Sequence, residues 1–326
     1  MAKTLSHDEL LPLVDALADG QWHSGEGLAQ AAGVSRAALA KRVGKLADWG
    51  LVVESQPGRG YRLGAPLERL SLQGITDMLP ERWQRAIGLQ VLTVTGSTNS
   101  QLLESNAADD PQAAFAELQT AGRGRLGRAW RSPFGANLYL SVAWSFPAWP
   151  ERLTTLPLAI GTALASWLHG VGVRDIAVKW PNDLWIARRK LGGILIETRG
   201  EAGGGCRVVV GVGLNLAMRG DQAQGIDQPW IALSEALPEM PPRNALAAAL
   251  LVALLQTLET FQNEGFAPFR EHFPRYDATR DEVVNVSCDP PISGIARGVD
   301  AAGALIVDTP QGQRRIMAGD VSLRLA

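Results

Sequence analysis

Apolar positions recur at helical spacing near the start of the chain. Leu10, Leu13, Val14 and Leu17 share one face, and the run stops at Asp19-Gly20. A second short helix is predicted from about Ser24 to Ala31, with Ser24 as N-cap. The break Ala32-Gly33-Val34 leads to Ser35, another N-cap candidate. Beyond it Leu39, Val43 and Leu46 form an apolar face, while Arg36, Lys41, Arg42 and Lys45 carry charge. Two short β runs follow, Leu51-Val52-Val53 and Tyr61-Arg62-Leu63, joined by the turn-forming Pro57-Gly58-Arg59-Gly60. Helix, helix, tight turn, basic helix and hairpin is the order of a winged helix-turn-helix, here over residues 1–64.

Residues 64–88, rich in Leu, Pro and Gln, read as a linker opening a middle region that runs to about 280. Strands are predicted at Gln90–Thr95, Asn137–Trp144, Ile176–Trp180, Leu191–Thr198 and Arg207–Leu214, and helices at Thr154–His169, Asn244–Glu264 and Phe266–Phe273. Helices do not separate every pair of strands, so a doubly wound parallel sheet fits badly and a mixed α+β sheet fits better. Residues 281–326 show β runs at Val283–Val286, Ile292–Val299, Ala304–Val307, Arg314–Met317 and Val321–Leu325. That predicts a small all-β barrel, near the lower size limit for independent stability and so packed on the middle domain. Gly203-Gly204-Gly205 reads as a hairpin tip.

Composition narrows the function classes. The chain has 326 residues, enough for two or three domains, and 46% hydrophobic residues, enough for a sizeable core. With 31 Lys+Arg against 33 Asp+Glu, a protein that coats nucleic acid or anionic membrane along its whole surface is excluded, and any DNA contact is local. Cys206 and Cys288 alone make neither a disulfide scaffold nor a zinc spacing. The opening residues lack the apolar core of a signal peptide, and apolar stretches such as Ala245–Leu255 fall short of the ~18 residues that span a bilayer. The expectation is a soluble, cytoplasmic protein without a membrane partner.

The most informative run is Gly122-Arg123-Gly124-Arg125-Leu126-Gly127-Arg128. Alternating Gly and Arg offers free backbone amides with guanidinium forks beside them, which suits phosphate. No Gly-Lys-Ser/Thr follows, so it is not a Walker A loop. Taken alone, the run also fits a solvated basic loop or a hook for the DNA minor groove; Trp130, Phe134 and an apolar strand downstream place it inside a folded domain. Lys179-Trp180-Pro181-Asn182-Asp183 sits at a predicted strand end, where Asn182 and Asp183 read by themselves as a turn. Ser97-Thr98-Asn99 reads as a helix N-cap, and Arg188-Arg189-Lys190 as a solvated strand start.

Together these runs resemble the bifunctional biotin–protein ligases that double as biotin-operon repressors. The matching stretches are GSTNS at 96–100, LQTAGRGRLGRAW at 118–130, SPFGANLYLSVAW at 132–144, VKWPNDLW at 178–185, RRKLGGILIE at 188–197 and VGVGLN at 210–215. The segments 23–50 and 57–61 are similar to that family's winged helix, and the tail fits its C-terminal SH3-like barrel, so the resemblance covers essentially the whole chain. Leu126 stands where some members carry another Arg or Gln.

The resemblance implies a class II synthetase-like catalytic domain over 65–280. It implies ATP-dependent activation of biotin to biotinoyl-5′-AMP, then transfer to one lysine of the biotin carboxyl carrier domain of acetyl-CoA carboxylase. It assigns Ser97, Thr98, Asn99, Gln119, Arg123, Gly124, Arg125 and Lys190 to biotin. It assigns Gly122, Arg128, Trp130, Asn182 and Asn215 to ATP and the adenylate. Lys190, Arg123, Arg125 and Asp183 are the implied catalytic residues, with Asp183 also placed toward Mg²⁺. A Gly-rich loop loses much entropy on ordering, so the cationic loop is expected to close on ligand. Ser35, Arg36, Lys41, Arg42 and Arg59 are expected to face operator DNA, bound by a homodimer that forms once the adenylate is present. The alternatives are a ligase that no longer represses, a ligand-sensing transcription factor without catalysis, and a lipoate ligase.

Overall fold

The computed structural model describes residues 7–105, 111–200, 205–288, 290–318 and 322–325; Gly203 and Gly204 of the expected hairpin tip, and Val321 of the last expected strand, lie outside them. The chain opens with α1 (His7–Leu17), α2 (Gly25–Ala31) and α3 (Arg36–Leu46). Ser24 and Ser35 are the N-caps, each hydroxyl accepting from the amide three residues on. The wing follows as β1 (Val53–Gln56) paired antiparallel with β2 (Gly60–Leu63). Leu51 and Val52 are not strand as expected. Leu51 is buried, its amide bonded to Leu46 O at 3.1 Å, so it closes the end of α3 before the hairpin begins.

The expected linker is instead part of the body. It folds as α4 (Leu72–Asp77) and α5 (Glu81–Ala86), with Ile75, Leu79 and Trp83 buried in the main core. Then come β3 (Gly88–Thr95), α6 (Thr98–Glu104), β4 (Gln112–Gln119), β5 (Asn137–Phe146), α7 (Leu156–Gly170), β6 (Ile176–Lys179), β7 (Asp183–Ile186), β8 (Arg189–Gly200) and β9 (Cys206–Asn215). The seven strands run in the order β3-β4-β5-β9-β8-β7-β6, with β3 and β4 parallel and every other pair antiparallel. The mixed sheet is as read. Two strands were not expected. β4 (QAAFAELQ) is almost wholly buried, so it lacks the apolar–polar alternation that marks a half-exposed strand. The residues taken as a turn at 182–183 run straight into β7.

One face of the sheet is covered by α7 and by α8 (Arg243–Glu264), the other in part by α6, whose Leu102 packs on Ala114, Ala143 and Val209. Among the described residues α8 is the one helix long and apolar enough to cross a bilayer. It begins within one residue of the expected helix Asn244–Glu264, although its uninterrupted apolar run is shorter. Most of the helix is buried against β5 and α7, so its length is that of a core helix. A short helix, α9 (Ala267–His272), leads to the tail.

The tail forms one antiparallel sheet of β10 (Val283–Ser287), β11 (Ile292–Val299), β12 (Leu305–Thr309), β13 (Gly312–Ile316) and β14 (Ser322–Leu325). It docks on the edge of the central sheet. The segment just before it bonds the edge strand, Val178 N donating to Tyr276 O at 2.6 Å and Ala278 N to Val178 O at 3.0 Å, and within the tail Gly303 O accepts from the Trp180 indole at 3.1 Å. At the other end the winged helix docks through aromatic stacking: Trp49, which also stacks on His7 of α1, lies 4.9 Å from Phe134 between ring centroids.

Candidate active site

The polar wall of the site begins where β3 ends. Ser97 occupies the N-cap position of α6, but its side chain takes no capping bond, contrary to its reading as a cap. Ser97, Thr98 and Asn99 are instead buried facing the sheet. Gln119, at the end of β4, accepts from Thr98 N (2.9 Å) and Thr98 Oγ1 (3.2 Å) and donates to Ser132 Oγ (3.0 Å). Ser141 Oγ donates to Asn99 Oδ1 at 2.5 Å. Such paired donors and acceptors suit a neutral polar ligand.

The Gly-Arg run leaves β4 and doubles back on itself. Gly124 N donates to Arg128 O at 2.7 Å, while Leu126 (φ 56°) and Gly127 (φ 71°) make the left-handed turn. Leu126 is half exposed at the tip. Arg123 pairs with Glu197 on β8 at 3.0 Å and donates to Ser100 Oγ at 2.7 Å; Arg125 donates to Asn182 Oδ1 at 3.2 Å. Gly122 does not line the cavity. Its carbonyl accepts from Trp130 N, and an added Cβ would lie 2.6 Å from Trp130 O, so it serves close backbone packing.

Past this loop Trp130 lies flat over the sheet. A Cβ at Gly213 would come within 2.5 Å of the indole, and one at Gly211 within 2.4 Å of the Asn99 amide. Glycine is required at both by the side chains resting on it. On the facing hairpin Lys190 Nζ pairs with Asp183 Oδ1 at 2.8 Å, both largely buried, and stands 5.4 Å from the Trp130 ring centroid. Asn182 Nδ2 donates to Ile194 O, and Asn215 Nδ2 to Lys190 O and Ile231 O, which fixes the lysine's backbone. Burial pushes the Lys179 ammonium below its usual value, and Asp183 opposes that shift. These groups enclose one cavity of about 570 Å³. Of the residues expected to bind biotin or ATP, all but Gly122 line it.

The chain matches the model of the biotin/lipoate A/B protein ligase family over residues 88–215, of the biotin protein ligase C-terminal domain over 282–324, and of an HTH domain over 14–62. It is 42% identical to the bifunctional ligase/repressor BirA of Salmonella typhimurium, over 97% of this chain and 98% of that one. It is 32% identical to the biotin–[acetyl-CoA-carboxylase] ligase of Mycobacterium tuberculosis over 80% of this chain and 97% of that one. The chain belongs to the biotin protein ligases. It is similar in structure to the biotin protein ligase of Aquifex aeolicus solved with biotin and ATP, at TM-score 0.64 and 28% identity, over 73% of this chain and 99% of that one.

Several residues lining this ligase's cavity escaped the sequence reading. Lys179 was inside a quoted run, but nothing in the pattern showed that it faces inward. Tyr139, Arg131, Met218 and the segment Gly225–Trp230 also line the cavity, as does Leu323 of the tail. The one signal for the stretch after β9 was its length without a helix or strand, which marks functional loops. Met218 and Ala223 pack there on Ala136, with Ile226 and Trp230 against them. Among the described residues no three His, Cys, Asp or Glu side chains cluster as a metal cage, and Asp183 is held by Lys190.

The residues expected to face DNA lie in the winged helix and do not line this cavity. Ser35 caps α3, Lys41 is exposed, Arg36 pairs with Glu26 at 2.7 Å and Arg42 with Glu9 at 3.6 Å. Arg59 stacks over Trp22 at 4.6 Å.

Proposed function

We propose that the cavity joins biotin to ATP as biotinoyl-5′-AMP and passes biotin to a lysine of a carboxylase's biotin carrier domain. One observation carries this: a single cavity offers neutral donors and acceptors at Ser97, Thr98, Asn99 and Gln119, and cationic groups at Arg125, Arg128, Lys179 and Lys190. Neutral groups at one wall and cations at the other suit a ligand with a neutral head and a carboxylate tail.

Attack of the biotin carboxylate on the α-phosphate brings two anions together, and Lys190 with Arg125 and Arg128 neutralises the charge that develops. Asp183 holds Lys190 in place. In the second step the carrier lysine attacks the carbonyl carbon of the mixed anhydride and AMP leaves; the amine must give up its proton first, and Asp183 is the carboxylate at hand. Mg²⁺ carried in with ATP would take most of its ligands from phosphate and water, and Asp183 is the carboxylate in the cavity that would hold it. The winged helix binds operator DNA as part of a dimer, because one such domain with few free cations holds DNA weakly at physiological salt. The division into residues 1–64, 65–280 and 281–326 assigns DNA contact, catalysis and support of the Trp180 turn to separate folded units.

Incubation with biotin, ATP and a carrier domain should add one biotinoyl group by mass spectrometry, and Lys190→Ala should reduce the rate about 10²–10³-fold. A carrier left unmodified by the wild-type chain overturns the reading.

A further inference from the structure

Glu197 lies outside the cavity, and neither the motif pattern nor the mechanism gives it a role. Its position is nonetheless informative. On β8, Gly193 faces Trp130, Lys190 and Asp183, and Leu195 lines the cavity. Side chains alternate along a strand, so Glu197 points to the same face two positions further on. Its partner across the sheet is Val209, which packs under α6. There Glu197 Oε2 accepts from the buried Asn99 amide at 2.8 Å, and both its oxygens accept from Arg123 Nη2, at 3.0 and 3.1 Å. Arg123 Nη1 donates to Ser100 Oγ at 2.7 Å. One carboxylate therefore ties the first turn of α6 to the root of the Gly-Arg loop.

We infer that Glu197 is a positioning residue that clamps the neutral, biotin-binding end of the cavity through Asn99 and Arg123. Resting on the ligase reading, this deepens it: the Arg123 charge is answered by Glu197 in a partly exposed pair, and the phosphate is left to Arg125, Arg128 and Lys190. Arg123 then supports recognition of a neutral ring system, where an unpaired cation would cost binding. It does not act as a phosphate ligand.

The test uses the full-length chain and the variants Glu197→Gln, Arg123→Gln and the double variant, each checked by thermal melting. Biotin-dependent ATP–pyrophosphate exchange gives separate KM values for biotin and ATP. The clamp predicts that either single change raises the biotin KM about tenfold or more, the scale of losing a charged hydrogen bond. The ATP KM stays unchanged, and the double variant is no worse than the poorer single one. The proposal is overturned if Arg123→Gln raises the ATP KM alone, if the two effects multiply, or if Glu197→Gln binds biotin as the wild type does. Should Glu197→Gln fail to fold, the same split read in Arg123→Gln decides. Calorimetric titration with biotin alone reports the clamp without catalysis, so a wild type that binds biotin but exchanges no pyrophosphate counts against the ligase reading and leaves the clamp to be judged by the same variants.

Discussion

The winged helix and the central body handle charge in opposite ways. In the first, the ion pairs Arg36–Glu26 and Lys45–Asp48 lie at the surface with both partners at least half exposed. In the second, Arg243 reaches under the sheet to Glu117 at 2.6 Å, with 8% and 1% of the two side chains exposed, and also donates to Asn137 O. Glu117 in turn accepts from Leu70 N, and Arg243 N and Asn244 N donate to Glu68. Asn137 Oδ1 accepts from Leu216 N, where the chain leaves β9 beside the cavity. The lesson is that charge at the DNA-facing end is left available to another charged molecule. The charge of this buried network is committed to holding chain segments distant in sequence.

Removing one member of each kind of pair should bring out that contrast. Glu117→Ala leaves Arg243 buried and uncompensated and should cost about 3–5 kcal/mol, read from denaturant unfolding. A loss under 1 kcal/mol would break the comparison. An intermediate case is Asp277, which the body buries with one oxygen lacking a partner and whose carboxyl burial pushes above its usual value. The folded state then holds that proton more tightly than the unfolded one, so this group's contribution is full at acid pH and falls as pH rises through the raised value. Asp277→Asn should remove that slope, and its melting temperature should gain on the wild type from about pH 4 upward. A constant difference across pH overturns the assignment. The smallest effect is expected at Arg36→Ala: no more than ~1 kcal/mol in stability, but weaker operator binding with a salt slope lower by about one. If stability falls as far as in Glu117→Ala, the surface pair is structural after all.

Much of this molecule was legible in its residues. Helices α1 to α3 and their caps Ser24 and Ser35 follow from local patterning, because a cap and an apolar stripe act within one or two turns. The Gly-Arg run read as an anion site from its own consecutive residues, whereas Asn182 and Asp183 read alone as a turn and were assigned a role only through the family resemblance; both runs line the same cavity. The buried strand β4 and the helices α4 and α5 hidden in a supposed linker were misread where burial on both sides, or polar residues facing a buried network, removed the usual period, whereas α8 begins within one residue of the expected Asn244–Glu264.

What the linear chain could not settle is which distant groups meet. Lys190 and Asp183 are seven residues apart, and a hairpin brings them together. Glu197 reaches Arg123 from 74 positions away, Arg243 reaches Glu117 from 126, and Leu323 of the tail arrives at a cavity built mainly from the middle of the chain. Local propensity specifies an element because its energy lies between near neighbours. Pairing across a sheet depends on register and on desolvation, and both exist only once the whole core has closed.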